Sequence, residues 1–575
     1  GASCASVWDM RSLALGVLAA VSFVAACGSS SSEPAELPGP AGTAAPAPAP
    51  APGNTGLPPA PSAPPPGEKV VGSFPKDFAF GTAIAGFQVD MGCPSTPAAI
   101  CEDRNSDWYQ FITTQRILDN NLLHMSKHAP TMGPGFFELY KDDIRRAGGA
   151  AEGELGSKVL RMSIEWSRLF PKATFGVTTF DDLKRLADAD ALRFYHDVFK
   201  ELRARGMRPS VTINHYSLPL WIHDGNMCNE GVVPGSGLSK CIAAGKAGWA
   251  DPNRSRIVNE MAKYAGFLGR EFGAEVDEWA TLNEPFSAVV VAGYLMATEM
   301  RSNPPGLTGA WMNVGAAKTA TLAMIEAHAR AYDALKQNDT IDADGDGKAA
   351  QVGTVYAFTK IEPLTNNEAD AKAAKSAEYF FHDMMLDGMA FGKVDENWDL
   401  DPAKRPVRAD LTNRLDWLGV NYYFGFKAQA TVVDTMPFIS PHIDFNMLQP
   451  FDGEGPGGLY DVLQRAKRFG RPLVVSETGY KQDDERRAAA WTLRTMQETK
   501  RAIDDGIDVR GYYAWTLMDN YEWNHGMRTR MGLYYVDQVT KARTVRESGK
   551  VFAQVVKARD ITQNLAAQYQ GLFTH

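Results

Sequence analysis

The sequence carries no surplus of positive charge: 59 Lys and Arg stand against 68 Asp and Glu, a formal net charge of -9. A polyanion such as nucleic acid therefore meets no general basic footprint. Long apolar runs are missing too, apart from one near the N-terminus, so nothing suggests a multipass membrane protein. Cysteine is scarce, with six in 575 residues. Past Val70 there is no low-complexity break, internal repeat or second linker, which leaves no seam at which to divide the remainder into separate domains.

The one apolar run, LALGVLAAVSFVAAC, follows Met10 and Arg11. It is too short and too abruptly ended for an ordinary membrane span and reads as a secretion signal. Its end, Val24-Ala25-Ala26-Cys27, is similar to a bacterial lipobox, in which the Cys becomes the lipidated first residue after cleavage. An ordinary signal with an incidental Cys is the alternative. Residues 1–27 are thus expected to be an N-terminal extension and lipoprotein signal, and residues 28–69, rich in Pro, Ala, Gly and Ser, an extended tether. The folded domain is expected over 70–575, exported and held to the cell envelope through lipid alone. With Cys27 lipidated and Cys4 removed, Cys93, Cys101, Cys228 and Cys241 form an even set in an oxidising compartment. Pairing Cys93 with Cys101 and Cys228 with Cys241 closes two short loops; four free thiols is the other reading.

After Val70, apolar β-branched segments alternate with amphipathic ones: DFAFGTAI, KVLRMSIEW, RPSVTINHY, DEWATLNEP, AQVGTVYAF, LDWLGVNYY, RPLVVSETGY and VRGYYAWTL. The pattern predicts eight strands. Leu192, Tyr195, Phe199 and Leu202 mark an apolar helical face between the second and third, and AAKTATLAMIEAHARAYDALK does likewise between the fourth and fifth. Strand, helix and parallel strand repeat, so a single (β/α)8 barrel is expected, with an open doubly wound sheet as the alternative. The polar residues favour the barrel. Gln88 follows the first strand, His215 ends the third, Asn283 and Glu284 the fourth, Tyr423 the sixth and Glu477 the seventh, while Trp515 lies on the eighth. In a barrel these positions surround one mouth.

Glu284 and Glu477 each end an apolar strand, in TLNEP and VVSETGY, and Pro285 forbids a simple continuation of the first. Two carboxylates across a barrel mouth suit glycoside hydrolysis, one protonating the leaving oxygen and the other attacking the anomeric carbon. The same pair could hold a divalent metal, but its neighbours are Trp, Tyr, Asn and Gln rather than further carboxylates and histidines. This chemistry requires no cofactor.

Several separated blocks now occur in one order: FPKDFAFGTAIAGFQVDMG, LRMSIEWSRLFP, VTINHYSLPLWIHD, TLNEP, LGVNYY, VSETGY and YYAWTLMDNYEWNHGMRTRMGLYYVD. Through them residues 74 to 556 resemble family 1 glycoside hydrolases, the β-glucosidase and β-galactosidase family, and HYSLPLWIHD and SDWYQF are most similar to its archaeal-type branch. The resemblance implies Glu477 as nucleophile and Glu284 as acid/base, with Asn283 on the sugar 2-hydroxyl. Tyr423 and Arg161 would flank Glu477 and keep it ionised. Gln88, His215, Glu522 and Trp523 would cradle the sugar hydroxyls, with Trp515 as the apolar platform. Thr478 departs from the family pattern, where Asn is usual, as do Tyr216 for Trp, Met531 for an aromatic and Asp90 for Glu. Members acting on 6-phosphorylated sugars have Ser where this chain has Glu522 and Lys where it has Thr529, so a phosphate would be repelled here.

A separate loop, DADGDGK, sets Asp342, Asp344 and Asp346 at alternate positions with Gly347 at the turn, the front half of a calcium loop whose twelfth position is Gly353 rather than Glu. A structural Ca²⁺ and a plain polar turn are both open. The reading is a retaining, exo-acting β-glycosidase on β-linked oligosaccharides or glycosides. A transglycosylase or an inactive sugar-binding lipoprotein is the alternative, and oligomeric state is not legible.

Overall fold

Each of the eight apolar runs forms one strand of a closed barrel in a computed structural model, which describes residues 70–119, 125–228, 238–295, 303–304, 313–401, 404–430, 445–451 and 455–573. The signal expected at 1–27, its Cys27 and the tether at 28–69 lie outside the described residues. The strands are β1 (Ala79–Ala83), β2 (Val159–Ser163), β3 (Arg208–Thr212), β4 (Glu278–Asn283), β5 (Gln351–Pro363), β6 (Trp417–Ala430), β7 (Leu473–Glu477) and β8 (Val509–Trp515). Each pairs in parallel with the next, and β8 with β1 closes the ring. The strand Phe445–Phe451 adds antiparallel to the outer part of β6.

A parallel strand in a barrel is covered on both sides, by the interior and by the helices, so it must be apolar nearly throughout. All five residues of β7 are buried, as are Trp279 to Asn283 of β4. Ala83, Val159, Ala280, Val355, Val474, Tyr513 and Trp515 fill the interior. Outside, the helix Ala189–Ala204 lays Tyr195, Val198, Phe199 and Leu202 against the strands, the face its periodicity marks. Fully burying each such side chain stabilises the fold by about 1.5–3 kcal/mol. Asp188 caps that helix by accepting from the backbone N–H groups of Asp190 and Ala191. The longer helix Val314–Asn338, capped by Asn313, joins β4 to β5.

The two ends of the barrel differ chemically. At the N-terminal end Glu278 accepts from Arg208 Nη1 at 2.7 Å and from the Tyr513 hydroxyl at 3.0 Å, a closed ion pair. The C-terminal ends of β4 and β7 carry Asn283 and Glu477, the rim from which the site is built.

Cys93 is bonded to Cys101 and Cys228 to Cys241, with Cα atoms 6.1 and 4.9 Å apart. In the acidic loop the fold adds a residue that the spacing does not name. The carboxylates that gather within 4.8 Å are Asp277, Asp342 and Asp344, and Asp346 is not among them. Asp277, just before β4, takes the N–H groups of Ala343 and Asp344 at 2.9 and 2.7 Å, a contact that spacing within the loop could not foretell. Asp342 takes those of Gly345 and Gly347, and Asp346 that of Lys348, so these side chains bind the loop's own backbone. Among the described residues no helix is long and apolar enough to cross a membrane.

Candidate active site

The chain leaves β4 at Glu284, whose φ of 45° is left-handed, and Pro285 opens the π-helical segment Pro285–Leu295 that follows. Proline has no N–H to lose at a helix start and cannot continue a central strand. Asn283 and Glu284 are therefore delivered at the rim, where β4 ends. Tyr216 and Trp523 are also left-handed, at φ 72° and 47°. A non-glycine residue held there costs about 1–3 kcal/mol and persists only where its surroundings over-determine it.

Glu477 ends β7 and meets a cation. Arg161 of β2 is buried and its Nη1 donates to Glu477 Oε1, while the Tyr423 hydroxyl donates to Oε2 at 2.7 Å. Nη2 of the same guanidinium donates to Asn283 Oδ1 at 2.7 Å. Glu284 has a different setting. Asn421 Nδ2 donates to its Oε1 at 2.8 Å and the Tyr216 hydroxyl to its Oε2 at 2.7 Å, so both donors are neutral. Burial, then the charge of Glu477, pushes the Glu284 carboxyl up to about 7, against the pull of its two hydrogen bonds.

Glu522 is pushed up to about 8, by burial first and Glu477 second, although Gln88 Nε2 donates to it at 3.2 Å. His215 is held well below the usual imidazole range by burial and by Arg161, and is therefore neutral. Its ring stacks between Trp515 and Trp523, at 6.0 and 5.9 Å.

Together Glu284, Glu477, Glu522, Tyr423, Trp515 and Trp523 line a cavity of about 370 Å³. Strand register orders it. Asn421 pairs with Ala357 on one side and Glu477 on the other, which puts them at one level of the barrel. Phe358, Phe424 and Phe426 come later on β5 and β6, and with Phe381 they line the outward part. The glycine of VSETGY is needed here: a Cβ at Gly479 would overlap the Trp515 carbonyl oxygen.

Residues 70–234 and 241–561 match Glycosyl hydrolase family 1. The chain belongs to that family. It is 31% identical to a β-galactosidase of Pyrococcus woesei, over 86% of this chain and 98% of that one. It is 32% identical to a β-galactosidase of Sulfolobus acidocaldarius, over 86% and 97%. Among solved structures it resembles the β-glycosidase of the hyperthermophile Thermosphaera aggregans, with a TM-score of 0.72 and 28% identity over 86% of this chain and 99% of that one. It is a glycoside hydrolase of the β-galactosidase and β-glucosidase kind.

The motif residues converge: Arg161, Asn283, Glu284, Tyr423 and Glu477 form one hydrogen-bonded group, Glu284 joining it through Asn421, with His215 at 3.4 Å from Asn283. Gln88 is fully buried at its flank, held between Glu522 and Asn520. The sequence gives Asn421 no role within LGVNYY and shows Tyr216 only as a departure, yet these two hold Glu284. The other departures are accommodated. Thr478 accepts from Trp491 Nε1 at 3.0 Å, Asp90 sits 3.3 Å from Arg168, and Met531 lines the cavity.

Proposed function

We propose that the protein is a retaining, exo-acting β-glycosidase that hydrolyses β-glucosides, β-galactosides or β-fucosides through a covalent glycosyl-enzyme. The observation that supports this most is the unlike environment of the two glutamates. Glu477 lies against a buried guanidinium, so it is poised to attack as a carboxylate. Glu284, on neutral donors and pushed up to about 7, holds a proton near neutrality and can give it to the leaving oxygen. Water, deprotonated by Glu284 in turn, then opens the ester on Glu477 with a second inversion. Glu522 and Trp515 face the same space and suit the hydroxyls and the apolar face of a pyranose. The phenylalanine-lined outward part suits an apolar aglycone. Proton NMR of the first product, before mutarotation, tests the reading: a β-sugar is expected, and an α-sugar would refute the roles given to Glu284 and Glu477.

We also propose that the chain is exported and anchored by lipid on Cys27. The lipobox-like run, the Pro/Ala-rich segment after it and the two disulfides support this. Cys27→Ala is expected to move activity from the membrane fraction to the soluble one; activity that stays with the membrane would overturn it.

A further inference from the structure

Tyr216, a departure from the family pattern of Trp, places a hydroxyl directly on one of the two reacting carboxyls. It is buried, in the left-handed region at φ 72°, with its ring packed against His215 and Trp523 at centroid distances of 4.7 and 4.8 Å. So confined, its hydroxyl reaches two groups: Asn283 Nδ2 at 3.0 Å and Glu284 Oε2 at 2.7 Å.

The direction of those bonds follows from residues distant in the chain. Asn283 Oδ1 accepts from Arg161 Nη2 at 2.7 Å and from Asn421 Nδ2 at 3.2 Å, and two donors on one side fix that atom as the oxygen. The amide nitrogen must then face Tyr216. An amide N–H only donates, so the tyrosine oxygen accepts from it and has its own proton left for Glu284. Asn421 is oriented in turn: the atom that faces Asn283 Oδ1, an acceptor fixed by Arg161, must be Nδ2, which also donates to Glu284 Oε1 at 2.8 Å, while Oδ1 accepts from Ser476 Oγ at 2.8 Å. A polarised chain thus runs from the Arg161 guanidinium through Asn283 and Tyr216 to Glu284. A tryptophan could not carry it, because an indole N–H donates but cannot accept from Asn283.

We propose that Tyr216 is a positioning residue that, through its hydroxyl, holds Glu284 in place and sets the pH at which Glu284 passes from its acid to its base form. The inference rests on the acid/base role proposed above for Glu284. The charged and titratable groups around that carboxyl are Glu477, which favours its protonated form, Arg161, which favours the ionised one, and Glu522, Tyr423 and His215, all three neutral near pH 7. Against this background a hydroxyl aimed at Oε2 stabilises the carboxylate more than the acid. Removing it lets burial and the Glu477 charge act with less opposition.

The test is the pH dependence of kcat/KM on an alkyl β-glucoside for the unmodified enzyme, Tyr216→Phe, Tyr216→Trp and Glu284→Ala, each checked for folding by circular dichroism. Tyr216→Phe is expected to move the alkaline limb upward by about one pH unit, the scale of one lost hydrogen bond to a carboxylate, and Tyr216→Trp, which loses the Asn283 link but keeps an N–H donor, by less. Tyr216→Trp keeps a bulky ring beside Trp523, so the measurement does not depend on Tyr216→Phe alone. A purely packing role would lower kcat/KM at every pH and leave the limb in place; that result would overturn the proposal. Glu284→Ala separates the two levels of the argument. If it removes the limb while the Tyr216 variants leave it unmoved, the acid/base reading stands and the Tyr216 proposal falls. If it retains the limb, Glu284 is not the acid and both fall.

Discussion

Replacing Glu284 by Ala removes the proposed proton donor and leaves its surroundings loaded. Asn421 Nδ2 and the Tyr216 hydroxyl, now 2.8 and 2.7 Å from atoms that no longer exist, both point donors into the gap. Two effects follow. Alkyl glycosides, whose leaving oxygen must be protonated, are expected to lose roughly 10²–10⁴-fold in kcat/KM, the usual span of general acid catalysis. Glycosides of 2,4-dinitrophenol depart without a proton and are expected to keep glycosylation within about tenfold of the unmodified enzyme. Their turnover then stalls, because water attacking the ester on Glu477 has lost its base. Azide is an anion that needs no base, and the two stranded donors give it a place to bind. It is expected to restore turnover with dinitrophenyl substrates and to yield a β-glycosyl azide. The assay is initial rates across a leaving-group series with and without azide, with the product identified by NMR. Equal losses across the series, no azide effect, or an α-azide would each refute the assignment.

Phe424→Ala, in the outward wall, is expected to raise KM for a 2-phenylethyl β-glucoside about tenfold with little change for methyl β-glucoside; an equal effect on both would place the aglycone elsewhere. Far from the site, His196 lies 3.1 Å from Glu271 and 2.8 Å from Glu275, and these hydrogen bonds, that to Glu271 first, raise its imidazole to about 9. Raised in the folded state, it contributes stability fully below about 6.5, its unfolded value, and loses it as pH climbs through about 9. The ring is partly exposed, so the contribution is about 1 kcal/mol or less. His196→Gln is therefore expected to lower Tm by about 1–2 °C at pH 6 and by nothing measurable at pH 9.5; a pH-independent loss would show that packing, not charge, is at work.

The barrel was legible because its strands are buried on both faces and so read as apolar β-branched runs, separated by helices with a single apolar stripe. Boundaries were less so. AQVGTVYAF and LDWLGVNYY name the inner parts of β5 and β6, yet the strands continue to Pro363 and Ala430 because they go on pairing with each other beyond the apolar core. Glu284 and Glu477 were legible because a carboxylate at the end of an apolar strand conflicts with its surroundings. Asn421 presents no such conflict, since an asparagine beside two tyrosines at a rim has many uses. Tyr216 was visible as an oddity, but its function depends on which way an amide 67 residues away is turned, and that is decided by Arg161 and Asn421. Asp277 joined the acidic loop for the same kind of reason: the contact belongs to the fold, not to the spacing.

One carboxyl can serve as acid and then as base only if its proton affinity changes between the two steps. Here the change is built into the charge arrangement. The Glu477 charge is the second cause, after burial, that holds the Glu284 proton. When Glu477 becomes an ester in the proposed first step, that charge vanishes, while Asn421, Tyr216 and Arg161 continue to favour a Glu284 carboxylate. Having given its proton to the leaving group, Glu284 therefore stays ionised at a pH where the free enzyme holds it protonated, and it can take a proton from water. Hydrolysis of the ester restores the charge on Glu477 and with it the acid form of Glu284. Glu522 senses the same cycle, since Glu477 also ranks second after burial among the causes raising its carboxyl. A substitution that removed the Glu477 charge permanently, such as Glu477→Gln, is thus expected to shift Glu284 downward in the resting enzyme, visible by ¹³C NMR titration of labelled glutamate. A Glu284 titration unmoved by Glu477→Gln would mean that burial alone sets it, and the alternation between acid and base would need another cause.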